Sequence, residues 1–230
     1  MGLRFDGVTL VQGEFTLTAD LEIAAPVTAV IGPSGGGKSS LLNAAGGFLA
    51  PRQGRILWNG TDLTGLAPGE RPVSMVFQDN NLFPHLSAAQ NVGLAVRPNL
   101  RLSQAETARV SDALIQVGLR GFEDRKPGAL SGGQQSRVAL ARVLVAARPL
   151  VLLDEPFAAL GPALKEEMLE LVRDVLVTAG KLVVMVTHDP DDARAMAEAV
   201  VLIADGVTSG PFETSEVFKN PPEALRAYLG

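Results

Sequence analysis

The chain has 230 residues, 47% of them apolar and 20% charged, enough for one large domain or for a core with a smaller lobe. A formal charge of −5 and a pI near 5.1 set the global field against nucleic acid and against an anionic lipid surface. Cysteine is absent, which excludes disulfides and thiolate metal sites, and no apolar run approaches the roughly 20 residues of a membrane span.

The N-terminal "MGLRFDGVTL" lacks the basic-then-apolar pattern of an export leader, and Asp6 stands where a myristoylation signal wants Ser or Thr. Residues 15–23, "FTLTADLEI", alternate apolar and polar, which predicts a half-buried antiparallel strand. "VTAVIG" (27–32) is a short β-branched run of the kind buried on both faces, and a helical pattern follows over 38–48. "RILWNGTDL" (55–63) carries an Asn-Gly turn between apolar runs, a hairpin signal. "VSMVF" (73–77) is another buried strand, after which residues 88 to about 147 show only loops and helical periodicity, over 103–117 and 134–147. "LVLLD" (150–154), a helix over 162–178, "KLVVMVT" (181–187) and "AVVLIA" (199–204) restore the alternation of strand and helix that marks a parallel α/β core. "PPEALRAYLG" at the C-terminus reads as a short Pro-started helix packed on that core. Residues 1–78 and 149–230 are thus expected to form the core and its β subdomain, with a helical insertion at about 79–148, all within one domain.

Residues 32–39, "GPSGGGKS", follow a strand and open a helix. Glycines let several backbone N–H groups converge on one concavity, and the helix adds its positive end. Gly32, Pro33, Ser34, Gly35, Gly36, Gly37, Lys38, Ser39 and Ser40 therefore make a candidate nucleotide cradle, with Lys38 reaching the β- and γ-phosphates and Ser39 holding Mg²⁺. "PLVLLDE" ends a buried strand in two acids. Asp154 suits the metal side, and Glu155 suits a base that polarises water.

With "LSGGQ" at 130–134, "FQ" at 77–78, "LLDEP" at 152–156 and "THD" at 187–189 in this order, the chain resembles the ATP-binding subunits of ABC transporters over essentially its whole length. The resemblance implies a P-loop NTPase (RecA-like) fold: a parallel-sheet α/β core, an N-terminal antiparallel β subdomain and a helical subdomain insertion. It implies an ATPase using ATP and Mg²⁺. Ser131, Gly132, Gly133 and Gln134 would cap the ATP of a second copy, giving a head-to-tail, ATP-sandwiched homodimer. Gln78 would sense Mg²⁺ and the attacking water, and His188 would contact the γ-phosphate and orient Glu155. His85 has no such context and reads as a loop or partner-contact residue. An integral permease and, indirectly, a periplasmic solute-binding protein are the implied partners, with the chain peripheral on the cytoplasmic face of the inner membrane and not inserted in it. "RPVSMVFQDNNLFPHLSAAQNVGL" (71–94) and "LLNAAGGFLAPRQGRI" (41–56) look most like the subunits serving bacterial thiamine import. Importers of iron, polyamine, sulfate or sugars share much of that text. A dimerising switch without transport is the remaining alternative.

Three departures from the family pattern stand out. "AALGP" replaces the usual "SALD", so Ala158 and Gly161 lack a hydroxyl and a carboxylate expected to link the two ATP sites. The segment "TLVQGEFTL" puts Val11 or Gln12 where an adenine-stacking aromatic is usual, and Phe15 alternates with Leu17 and Leu21 as a core residue would. Ser136 in "GGQQSR" occupies a position that often carries Arg or Gln.

Overall fold

Side-chain alternation shapes the start of the chain in the computed structural model, which describes residues 1–229. β1 (Leu3–Gln12) and β2 (Phe15–Ile23) pair antiparallel, with Gln12 opposite Phe15 across the turn at Gly13 and Glu14. Leu17, Ala19, Leu21 and Ile23 are buried on one face of β2 while Thr18, Asp20 and Glu22 between them face water. Then come β3 (Val27–Ile31), α1 (Lys38–Gly46), and a hairpin of β4 (Gln53–Trp58) and β5 (Thr61–Asp62). Asn59 and Gly60 at its tip both have positive φ, as a tight hairpin turn demands. β6 (Val73–Val76), α2 (Ala88–Gly93), α3 (Gln104–Gln116), α4 (Gly132–Val145), β7 (Leu150–Asp154) and α5 (Pro162–Val172) follow. α5 runs on into a π turn at Arg173–Val177. β8 (Leu182–Val186), α6 (Pro190–Met196), β9 (Ala199–Ala204), β10 (Val207–Glu213), α7 (Thr214–Lys219) and α8 (Glu223–Leu229) complete the chain.

These elements form two units, Met1–Val73 with Leu182 onward, and Ser74–Lys181. In the first, the strands lie in the order β5-β4-β1-β2-β10-β9-β3-β8. β3 is parallel to both neighbours, placing Val30 beside Val186 and Val201, and every residue of β3 is buried. A strand covered on both faces must be apolar along its whole length, which is why this run does not alternate. α1 buries Leu41, Leu42, Ala44 and Ala45. Its far end is held by Arg71, only 2% exposed, which donates to the carbonyls of Ala44 (2.7 Å), Ala45 (3.0 Å), Leu66 (3.0 Å) and Thr64 (3.2 Å). Burial pushes the Arg71 pKa down, but the guanidinium stays charged and finds the negative end of a helix there. The Arg of "RPVSMVF" is therefore a fastening for the helix that begins in the phosphate loop.

In the second unit α2, α3 and α4 bury Val92, Val110, Leu114, Val138 and Leu140, and β6 neighbours β7. α5 packs against the start of α4: a Cβ built on Gly133 would sit 2.7 Å from the Leu164 side chain. This unit is wider than the helical stretch 79–148, since it also holds β7 and α5.

Candidate nucleotide site

After β3 the backbone enters the glycine loop. A Cβ on Gly32, whose φ is 155°, would stand 2.2 Å from the Ile203 carbonyl oxygen, so only glycine passes there. Gly37, at φ 98°, caps α1, and a Cβ on it would meet the Phe15 ring at 2.7 Å. Phe15 was expected to be a core residue like Leu17; it is instead half-buried, with its ring edge against the phosphate loop. Pro33, Ser34, Gly35 and Ser39 are exposed, Gly36 is half-buried, and no acidic residue occupies the first turn of α1. Lys38 is 5% exposed, and its Nζ donates to the carbonyls of Gly32 (2.8 Å) and Pro33 (2.9 Å), folding back across the mouth of the loop. Ser40 Oγ donates to Gln12 Oε1 over 2.6 Å, tying α1 to the β1–β2 turn. A concave loop, a helix N-terminus free of acids and a lysine over its mouth fit a polyphosphate.

His188 is exposed in the bend between β8 and α6 of the same unit. The other candidates belong to the second unit. Gln78 is exposed just beyond β6. Asp154 ends β7 half-buried, and Glu155 next to it takes a left-handed backbone, φ +45°. That conformation costs a non-glycine residue about 1–2 kcal/mol, and such departures gather where a side chain must be aimed. Ser131 caps α4: its Oγ accepts the Gln134 N–H (3.3 Å) while Gln134 Oε1 accepts the Ser131 N–H (2.9 Å). Ser131 and Gly132 are exposed at this helix start, Gly133 is buried against Leu164, and α4 has no acid in its first turn.

Two further groups of residues shape the second unit. Asn80 and Asn81 both have left-handed backbone, φ 59° and 44°, which Asn tolerates better than most residues. Arg142 of α4 donates to both of their carbonyls, at 2.7 and 2.8 Å, and the Asn80 amide donates to Ser136. The "NN" after the glutamine is thus a bent segment bolted to the helix that starts at the signature motif. Asn91, fully buried in α2, accepts the Phe83 N–H (2.8 Å) and donates to the carbonyls of Phe83, Leu86 and Ser87. It holds a loop that displays Phe83, 48% exposed, with the His85 ring at its edge. Neither role was legible beforehand, because backbone carbonyl partners leave no trace in residue type.

The ABC transporter family profile matches residues 20–158. The chain belongs to the ABC transporter family. It is 58% identical over 99% of both chains to the thiamine import ATP-binding protein ThiQ of Cereibacter sphaeroides, and 55% identical over 99% of both to that of Ruegeria. Among solved structures, the dimeric post-hydrolysis state of the ATP-binding cassette MJ0796, bound to ADP and Pi, is similar at a TM-score of 0.77. It is 30% identical, and the match covers 92% of this chain and 98% of that one. The fold is accordingly that of a P-loop ATPase with a mixed sheet, parallel at its core and antiparallel at the N-terminal strands. As a member of this family the chain binds ATP and is an ATPase.

Proposed function

We propose that this chain is the ATP-hydrolysing subunit of a bacterial importer of thiamine or thiamine phosphates. It would work as a homodimer on the cytoplasmic side of an inner-membrane permease that receives its solute from a periplasmic binding protein. The observation that carries this reading is the end-to-end match, at 58% identity, to a protein named for thiamine import. Among the described residues no helix is long and apolar enough to cross a membrane, so attachment would run through the permease.

In this reading the loop from Gly32 to Ser40 cradles the phosphates of ATP, and Lys38 exchanges its two carbonyl partners for phosphate oxygens. Ser39, Gln78 and Asp154 are hard oxygen donors of the kind Mg²⁺ takes. Magnesium, when bound, neutralises charge on the phosphates and fixes their orientation. Glu155 polarises the attacking water, and His188 contacts the terminal phosphate. Ser131, Gly132, Gly133 and Gln134 close over the ATP of the second copy, the serine releasing its capping bond to a helix start that favours anions. Phe83 and His85 face the permease, presented by Asn91 on a loop too well fastened to yield.

The test is reconstitution with the permease that co-purifies from membranes. Hydrolysis should be stimulated by the binding protein loaded with thiamine. Stimulation by an iron, polyamine, sulfate or sugar binding protein instead would overturn the substrate.

A further inference from the structure

The residues on either side of His188 are tied down. Thr187, 4% exposed, accepts the Asp189 N–H at 3.0 Å and donates its hydroxyl to Asp192 at 2.7 Å. Asp189 in turn caps α6 by accepting the Asp191 N–H at 3.0 Å. His188's own peptide is reached from much further along the chain. The hydroxyl of Tyr228, in α8, donates to the His188 carbonyl across 40 residues of sequence.

Tyr228 is the only tyrosine in the chain, and its helix packs on β9. Tyr228 and Leu225 share one narrow crevice with Gly32, Pro33 and Ile203, and Leu225 is 1% exposed. α8 is therefore held against β9, across a crevice from the start of the loop, and by a polar contact at the histidine carbonyl.

A phenol bonded to a backbone carbonyl takes no part in moving a proton on the imidazole. What it adds is a hold on the carbonyl end of the plane of the His188–Asp189 peptide, whose N–H end Thr187 already holds. With Thr187 and Asp189 already held, that plane decides where the Cα–Cβ bond of His188 points. We infer that Tyr228 is a positioning residue for ATP hydrolysis: it sets the orientation of His188 and so brings the C-terminal helix into the hydrolytic step. The inference rests on the reading of His188 as the γ-phosphate contact.

Tyr228→Phe keeps the ring in its crevice and removes only the hydroxyl. Steady-state hydrolysis by the full chain should show kcat lower by about five- to tenfold, the scale of a slightly misplaced group, with KM for ATP within about twofold. The melting temperature should stay within about 2 °C of the parent. In a His188→Ala background the same change should cost less than about twofold, because nothing remains to be positioned. A Tyr228→Phe enzyme with parental kcat would overturn the inference, as would an equal loss with and without His188. A His188→Ala enzyme that hydrolyses at the parental rate would instead bring down the reading of His188 itself, and the positioning role with it.

Discussion

The Asn80 side-chain amide donates to the Ser136 hydroxyl over 3.2 Å, and that hydroxyl donates onward to the Gly132 carbonyl, also at 3.2 Å. A chain of hydrogen bonds thus joins the segment after Gln78 to the first residue of the signature helix, inside one unit. Ser136 lies one turn into α4, so its hydroxyl can bond back to the carbonyl four residues earlier and still reach Asn80. Ser136 stands where the family often carries Arg or Gln, and here its hydroxyl meets the Asn80 amide. Ser136→Ala should lower stability by about 1 kcal/mol in urea denaturation. Basal hydrolysis should be unchanged while permease-stimulated hydrolysis falls. An unchanged stimulated rate would show that the bond carries no coupling.

Asn91 is satisfied on both its amide oxygen and its nitrogen while fully buried. Asn91→Ala leaves one N–H and three carbonyls without that partner in a place with little water, at a cost of about 2–3 kcal/mol. The loop bearing Phe83 should then become mobile. Faster amide exchange at Phe83, with exchange in β3 unchanged, is the expected reading.

Much of this fold was legible because period and burial agree. β2, β7 and β9 run over the stretches expected from their apolar patterns, and the hairpin falls on Asn59-Gly60. β1 escaped notice because its alternation slips: a bulge between Phe5 and Val8, with Gly7 at φ 57°, shifts the side-chain phase midway. β10 was hidden by Gly210-Pro211 and a similar register shift between Ser209 and Phe212. α6 and α7 have 7 and 6 residues, too short for a helical period to register. At the site, the phosphate loop was readable because its chemistry needs particular residue types at fixed spacing. The left-handed backbone of Glu155, and the roles of Arg71, Arg142 and Tyr228, were not. Each depends on backbone geometry or backbone carbonyls, and any sequence supplies those.

Gly161 caps α5 without a side-chain bond, at φ −68° and ψ 159°, an extended conformation open to any residue. Apart from Gly161 and its chain neighbours, no atom of the described residues lies within 4 Å of the place a Cβ would take. Gly161→Asp should therefore be accommodated and should raise stability by about 0.5 kcal/mol through capping and the helix end charge. If a carboxylate here links the two ATP sites, the Hill coefficient for ATP should rise with it. A variant with unchanged rate and Hill coefficient would contradict that link.

The Glu106 carboxyl is held down to about 2 from an ordinary 4.5, first by the Arg97 guanidinium and then by the Ser103 N–H. A depressed carboxylate stabilises the folded chain fully above its unfolded value of 4.5, and that contribution is lost as pH falls towards 2. Arg97 is half-exposed, so salt should weaken the effect. The difference in urea midpoint between the parent and Glu106→Gln should be largest at neutral pH and should shrink at pH values below about 4.

Glu155 supplies the most direct measurement. Glu155→Gln keeps the shape of the side chain but withdraws its capacity to take a proton, so hydrolysis should fall by at least about a hundredfold. Nucleotide should still bind. Light scattering on this variant with saturating ATP should then find a two-chain species holding two ATP molecules, which falls apart to single chains when ADP is substituted. A variant that remains single-chain at every ATP concentration would contradict the shared, two-copy site.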